Sequence, residues 1–220
     1  MRSVSRFVMT IILLTFALPA SAQIRLGAIG GLNFSTMKAA YDEEVTGRTV
    51  MGIGGVFSIG IYKNLLLKIE PMYLQKYSGL GATATQPAID TELTFFECPI
   101  LLKVSTGKTV RPYIIAGPSF GYLLRSELKT NAAGIEATAD LEDILKHLDV
   151  GISAGAGIDI PLGPISLFLE SRYTWELINL NKGGEVEFTL GPLVFPIEID
   201  ESDELESRGL QVMAGVLIPL

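Results

Sequence analysis

Charged residues recur at every second position of several otherwise apolar stretches of this chain. Glu170 and Arg172 flank Ser171, and Lys68 and Glu70 flank Ile69. Asp149 and Asp159 close the two ends of a Gly and Ser run that keeps the same parity, and Glu176 continues the parity of Glu170. Arg25, Lys76, Glu97, Lys103, Arg111 and Arg125 hold matching places in other stretches. Seven cations (Arg25, Lys68, Lys76, Lys103, Arg111, Arg125, Arg172) thus stand against six carboxylates (Glu70, Glu97, Asp149, Asp159, Glu170, Glu176). Ions cut off from water must be matched, so a nearly neutral set suits a closed interior held by ion pairs and hydrogen bonds. The same set could line a narrow path for an ion or small solute, which is the alternative.

Other chemistry finds less support. His147 is the only histidine, and a lone His beside Asp149 reads as a surface residue rather than a general base. No nucleophile elbow and no His-Glu-x-x-His zinc helix is read. Gly107-Lys108-Thr109 resembles the end of a phosphate loop, but Leu102 stands where its first glycine is required. No catalytic residue, no cofactor and no enzymatic activity are therefore expected. An acidic connection carries Glu185, Glu187, Glu198, Asp200, Glu201, Asp203, Glu204 and Glu206, with Lys182 alone opposing. It is expected to be a solvated loop. Asp200, Glu201, Asp203 and Glu204 are its weak candidates for holding a divalent cation that bridges to anionic lipopolysaccharide or a partner. A net charge of −7 argues against nucleic acid.

The elements that must position these charges follow from the alternation itself. Over residues 149–160, Val150, Ile152, Ala154, Ala156, Ile158 and Ile160 fall on one parity, and Asp149, Gly151, Ser153, Gly155, Gly157 and Asp159 on the other. Side chains alternate across a strand, so this is a strand with one apolar face and one small or charged face. The same pattern places strands at 24–34, 50–62, 65–77, 92–104, 111–125, 165–177 and 207–220. Eight strands fall within the size range of the smallest outer-membrane barrels, which turn the apolar face to lipid and the polar face to the lumen. Segment 186–199 alternates as well, as a hairpin beyond the membrane or, if it joins the barrel, as two further strands making ten. Long connections follow the first, third, fifth and seventh strands and short ones the second, fourth and sixth, which puts both termini in the periplasm. Phe34, Tyr77, Phe95, Phe96, Tyr122, Tyr173 and Trp175 lie toward the long-loop ends, where an external aromatic girdle would sit. Pro71, Pro99 and Pro118 each remove a ladder donor and need bulges or strand ends.

Residues 1–22 read as a cleaved signal: a basic start with Arg2 and Arg6, a short apolar run, and Ala20-Ser21-Ala22 before Gln23. Residues 23–220 form one domain. No later apolar run reaches the ~18 residues of a spanning helix, although the chain is 48% hydrophobic with a mean hydropathy of +0.40. One cysteine, Cys98, allows no intrachain disulfide.

Several segments in order, Gly30-Gly31-Leu32-Asn33-Phe34-Ser35, Ile69-Glu70-Pro71-Met72-Tyr73, Phe96-Glu97-Cys98-Pro99, Arg111-Pro112-Tyr113 and Leu169-Glu170-Ser171-Arg172-Tyr173, carry a resemblance. With them the chain resembles the PorT-like outer-membrane β-barrel proteins of Bacteroidetes-type bacteria over nearly its whole length after residue 22. It departs at Leu220, where such barrels often end in an aromatic. The resemblance implies the barrel fold and a place in the bacterial outer membrane, in contact with its lipid and lipopolysaccharide and with the barrel-assembly machinery during biogenesis. A monomer with a side-chain-plugged lumen is expected, in a structural or surface-interaction role. Assistance to protein export is the further option that one family member's work in secretion suggests. A soluble periplasmic lipocalin-like lipid carrier is the other alternative, and it would place the long apolar set inside.

Overall fold

Alternating side chains build strands. The computed structural model describes an all-β, antiparallel chain over residues 24–38, 45–46, 48–80, 88–132, 135–142, 144–190, 193–199 and 206–220. The segment read as a signal lies outside these residues, and so do Asp200, Glu201, Asp203 and Glu204.

The strands close a ring. β1 (Ile24–Lys38) is followed by the short β2 (Val45–Thr46) and pairs with β3 (Arg48–Tyr62). β4 (Leu65–Ile69) and β5 (Met72–Leu80) together fill the next position and pair with β3 on one side and β6 (Ala88–Ser105) on the other. β7 (Arg111–Ala132) pairs with β6 and leads into β8 (Ile135–Asp140); β9 (Leu148–Leu162) then pairs with β7, and β10 (Ile165–Glu176) with β9. The hairpin of β11 (Gly184–Leu190) and β12 (Leu193–Ile199) precedes β13 (Glu206–Pro219). β13 pairs with β10 and closes onto β1, with Ala28 opposite Val216. Eight wall positions result. Among the described residues, the β11–β12 hairpin joins the sheet at β8 alone, through Thr189↔Thr138 and Leu190↔Ala137, so it extends the sheet without widening the ring to ten.

Tight connections at 63–64, 106–110 and 163–164 gather at one end of the ring, and β2, β8 and the β11–β12 hairpin at the other. β7 runs for 22 residues, twice the roughly 9–11 that a tilted strand needs to cross a bilayer. Its outer half therefore carries the extension.

The two faces sort as the parity demands. Met51, Ile53, Ile114 and Leu169 on the outside are 69, 68, 64 and 50% exposed. A lipocalin would hold this long apolar set inside. The interior is not purely polar, however. Ile29, Val56, Met72, Leu74, Leu101, Ile115, Phe168 and Met213 are buried there in one cluster with Tyr113 and Leu217. Ile29 thus keeps the lumen parity of its strand as an apolar filler.

The three awkward prolines share one patch of wall. Pro71 sits in the break between β4 and β5, where its carbonyl still accepts from Gly55 N at 2.9 Å. Pro99 borders and Pro118 lies within the place where the β6–β7 ladder opens, between Pro99↔Ser119 and Leu102↔Ala116, and Glu70 N donates to the Pro99 carbonyl at 3.1 Å. Missing donors are tolerated where no ladder bond is asked of them. Farther along, a bulge opposite Thr94/Phe95 inserts one residue into β7, since Phe95 faces Leu123 and Thr94 faces Arg125. A one-residue insertion flips every later side chain to the other face.

Two girdle residues are displaced from the outer surface. Phe95 is fully buried at the long-loop end, and Tyr77 is covered by Arg48 and hydrogen-bonded to Asp90. Phe34, Phe96, Tyr122 and Trp175 are exposed. The connection after β8 makes a single turn, with Glu142 N on Asp140 Oδ1 at 2.9 Å and Leu145 N on the Leu141 carbonyl at 3.1 Å. Leu141, Ile144 and Leu145 are buried, whereas Leu148 starts β9 and is exposed.

The outward face can be tested at Leu169, midway along β10. Leu169→Arg is expected to destabilise the fold by about 2–4 kcal/mol, the cost of a basic residue at the bilayer centre. Reversible unfolding in lipid vesicles measures it, and an unchanged midpoint would mean that this surface faces water.

Candidate functional site

Three levels of charge occupy the lumen. In the middle level β4, the β4–β5 break and β10 contribute Lys68, Glu70, Glu170 and Arg172, all about 1% exposed or less. Lys68 Nζ lies 2.6 Å from Glu70 Oε1 and 2.7 Å from Glu170 Oε2. Arg172 pairs with Glu70 across the lumen, reaches Glu170 Oε1 at 3.4 Å, and donates through Nε to Gln211 Oε1 at 2.6 Å. The Tyr113 hydroxyl donates to Glu170 Oε2 at 2.9 Å. Two cations face two carboxylates, so the level is neutral.

Toward the turn end, Lys103 Nζ donates to both Asp159 oxygens at 2.7 and 2.6 Å. Toward the long-loop end, Lys76 on β5 pairs with Glu176, with Asp149 Oδ2 at 3.0 Å and with Glu97 Oε2 at 3.8 Å. Ser119 donates to Glu97 Oε1 at 3.1 Å. One cation faces three carboxylates here, and Asp149 Oδ1 and Glu176 Oε2 accept no hydrogen bond from the described residues. Beyond this level an apolar cap closes over the ring. It is built from Leu93, Phe95, Leu123, Ala139, Leu141, Ile144, Leu145, Leu180 and Val186. Backbone bonds from Lys146 to Leu180 and from Lys182 to Ile144, at 2.7 and 2.9 Å, tie it together.

Each lumen lysine also lies over an aromatic ring. Lys103 Nζ is 3.7 Å from the Tyr113 centroid, Lys68 Nζ 4.5 Å from Phe168 and Lys76 Nζ 4.3 Å from Phe95. The negative ring face attracts the ammonium where water is scarce. Glycines make room for these large groups. A Cβ on Gly155 would strike Arg172, one on Gly157 the Tyr113 ring, and one on Gly215 the Phe168 ring.

The structure brings together most of the charges read from the sequence: Lys68, Glu70, Lys76, Glu97, Lys103, Asp149, Asp159, Glu170, Arg172 and Glu176. Arg25 and Arg111 are only half-buried at the turn-end mouth, beside Tyr62, Lys63 and Asp159. Arg125 is not a lumen residue. The β7 bulge turns it outward, where its side chain is 70% exposed and pairs with Glu127. The aromatic and apolar partners were missed in the sequence, and their one signal there is lumen parity, since Phe168 lies between Ser166 and Glu170 and Met72 and Leu74 lie between Glu70 and Lys76.

The string Gly117-Pro118-Ser119-Phe120-Gly121 does spell a nucleophile elbow. It lies inside β7, and the buried Ser119 hydroxyl is spent on Glu97. An elbow needs a strand-to-helix turn and a histidine base, and His147 is instead stacked on Tyr122 at 5.7 Å between centroids.

Residues 18–182 match the family model of the outer membrane protein beta-barrel domain. The chain belongs to this family. No curated protein sequence matches it. Among solved structures, a major outer membrane protein from Thermus thermophilus is similar in fold, with a TM-score of 0.54 and 8% identity, covering 91% of this chain and 100% of that one. Ail, the attachment invasion locus protein of Yersinia pestis, aligns with a TM-score of 0.45 and 11% identity over 88% of this chain and 98% of its own. OprG from Pseudomonas aeruginosa aligns with a TM-score of 0.49 and 9% identity over 90% and 95%. Family and fold together make this a bacterial outer-membrane β-barrel protein.

The middle level generates a stability test. Arg172→Leu leaves Lys68 alone against two buried carboxylates, one negative charge in excess, and is expected to cost about 3–5 kcal/mol. Arg172→Leu combined with Glu70→Gln removes one charge of each sign and should recover most of that loss. Equilibrium unfolding of both variants reads the coupling, and equal losses would mean that the two side chains do not share a buried network.

Proposed function

We propose that this protein is a non-conducting outer-membrane barrel that acts through its surface, in a structural or surface-interaction role, with its lumen filled by its own side chains. The observation that carries this reading is the succession of buried groups along the interior: Lys103–Asp159, then the Lys68, Glu70, Glu170 and Arg172 cluster, then the Lys76 cluster, then the apolar cap. An eight-stranded ring is just wide enough for side chains to fill it.

Both termini are assigned to the periplasm, because barrels of this kind keep short turns there and long connections outside. The β7–β8 and β11–β12 extension then stands on the cell surface. Its acidic connection is suited to lipopolysaccharide or a partner through divalent cations. Within the family, the order of the motifs from Gly30 to Tyr173 supports a PorT-like placing, with export assistance as an ancillary role. The ring closes within one chain, which supports a monomer that meets the barrel-assembly machinery only during insertion.

Purified protein in planar bilayers should show no steady conductance. A stable, wide channel would overturn the filled-lumen reading and make transport the function. Orientation has its own test in a Cys98→Ser background. An impermeant thiol reagent on intact cells should label Lys129→Cys at the long-loop end and spare Lys108→Cys at the turn end; the reverse pattern would invert the topology.

A further inference from the structure

We propose that the turn-end mouth of the barrel is a binding pocket for a small oxyanion, a molecule bearing phosphate or carboxylate groups. The mouth encloses about 550 Å³, and Arg25, Tyr62, Lys63, Leu66, Arg111 and Asp159 are among its walls. That volume is typical of small-molecule sites, which run from roughly 300 to 1,000 Å³.

Asp159 is part of the pocket wall, and buried Lys103 holds both of its carboxylate oxygens at 2.6–2.7 Å, with the 3% exposed Tyr113 ring against Lys103. Among the described residues, Asp159 is the only carboxylate side chain in the lining and Lys103 already neutralises it, whereas Lys63 and Arg111 add two cations. The recess is therefore net positive. Arg111 is steered by its Nε bond to the Lys108 carbonyl at 3.4 Å, and no carboxylate pairs with it or with Lys63 among the described residues. A guanidinium fork beside an ammonium is the combination that recognises phosphate and carboxylate oxygens, the fork by paired bonds and the ammonium as a point charge. Partial enclosure by low-dielectric walls strengthens that attraction. Ile61, Leu66 and the Tyr62 ring supply an apolar wall for a small organic body.

The opposite end of the lumen could not serve, because there three carboxylates surround Lys76 alone. The chemistry of the pocket holds whichever side of the membrane it faces; in the orientation proposed above it opens to the periplasm.

Calorimetric titration of the full-length protein in non-ionic detergent tests the site, with inorganic pyrophosphate, citrate and dihexanoyl phosphatidylglycerol as probes. One-to-one saturable binding of at least one probe is expected, and the probe preferred separates a soluble anion from a lipid headgroup. Arg111→Gln and Lys63→Gln should each weaken it about tenfold or more, as loss of a charged hydrogen-bond donor does. The double variant should abolish it. Arg125→Gln, outside the ring at the far end, should leave it unchanged. Lys63 is exposed on its turn, so its replacement leaves the packed interior intact, and circular dichroism confirms the fold of each variant. No saturable binding by any probe, or a folded double variant that binds like the parent, would overturn the proposal.

Discussion

A ring of eight strands leaves an interior that only side chains can fill, and any ion placed there loses several kcal/mol of hydration. The rest of this structure follows from how that loss is offset. Pairs two residues apart, Lys68–Glu70 and Arg172–Glu170, are supplemented by pairs made between walls of the ring. Lys68 on β4 reaches Glu170 on β10, and Arg172 on β10 reaches Glu70, each pair 102 residues apart in sequence. Lys76 on β5 meets Asp149 on β9 and Glu176 on β10, and Lys103 on β6 meets Asp159 on β9. Each of these contacts skips at least one intervening strand, so the network rewards a sheet curved into a ring rather than a flat one.

Volume is the second constraint, and it explains the company the ions keep. A lumen stocked only with charges would need every oxygen and nitrogen satisfied, so the remaining space is given to groups that make no such demand. Met72, Leu74, Leu101 and Met213 fill between the charges, and Phe95, Phe168 and Tyr113 stand under the lysines. The glycines opposite these rings are the counterpart of that bulk. Gly157 and Gly215 lie where neighbouring strands bring Tyr113 and Phe168, so small residues on two strands allow large ones on two others.

Much of this is legible in the residues, because a strand writes its two faces directly into its parity. Alternation alone assigns the apolar set of 149–160 and the charged set from Lys68 to Arg172 to opposite faces. Partners are less legible. Arg172 has Glu170 beside it on its own strand, yet Glu70 is drawn to it across the lumen, since ring closure and not sequence spacing decides which walls face each other. Arg125 escapes the parity because a single inserted residue in β7 leaves no mark in the composition, although it reverses the faces beyond it. Phe168, Met72 and Leu74 are hard to single out because an apolar residue on a charged face looks like noise until the interior is known to need filler.

The levels are unequal in charge, and the inequality has a direction. The long-loop end holds three carboxylates against Lys76, the middle is balanced, and the turn end adds Lys63 and Arg111 to a pair that is already neutral. A channel for a single kind of ion would keep one sign along its length. Here an anion entering from the turn end meets attraction and then the closed Lys103–Asp159 pair. A cation entering from the other end must first pass the apolar cap formed with Leu145, Leu180 and Val186. The sign of the charge therefore changes along the interior, and it is on this change that the proposed non-conducting barrel and its proposed recess rest.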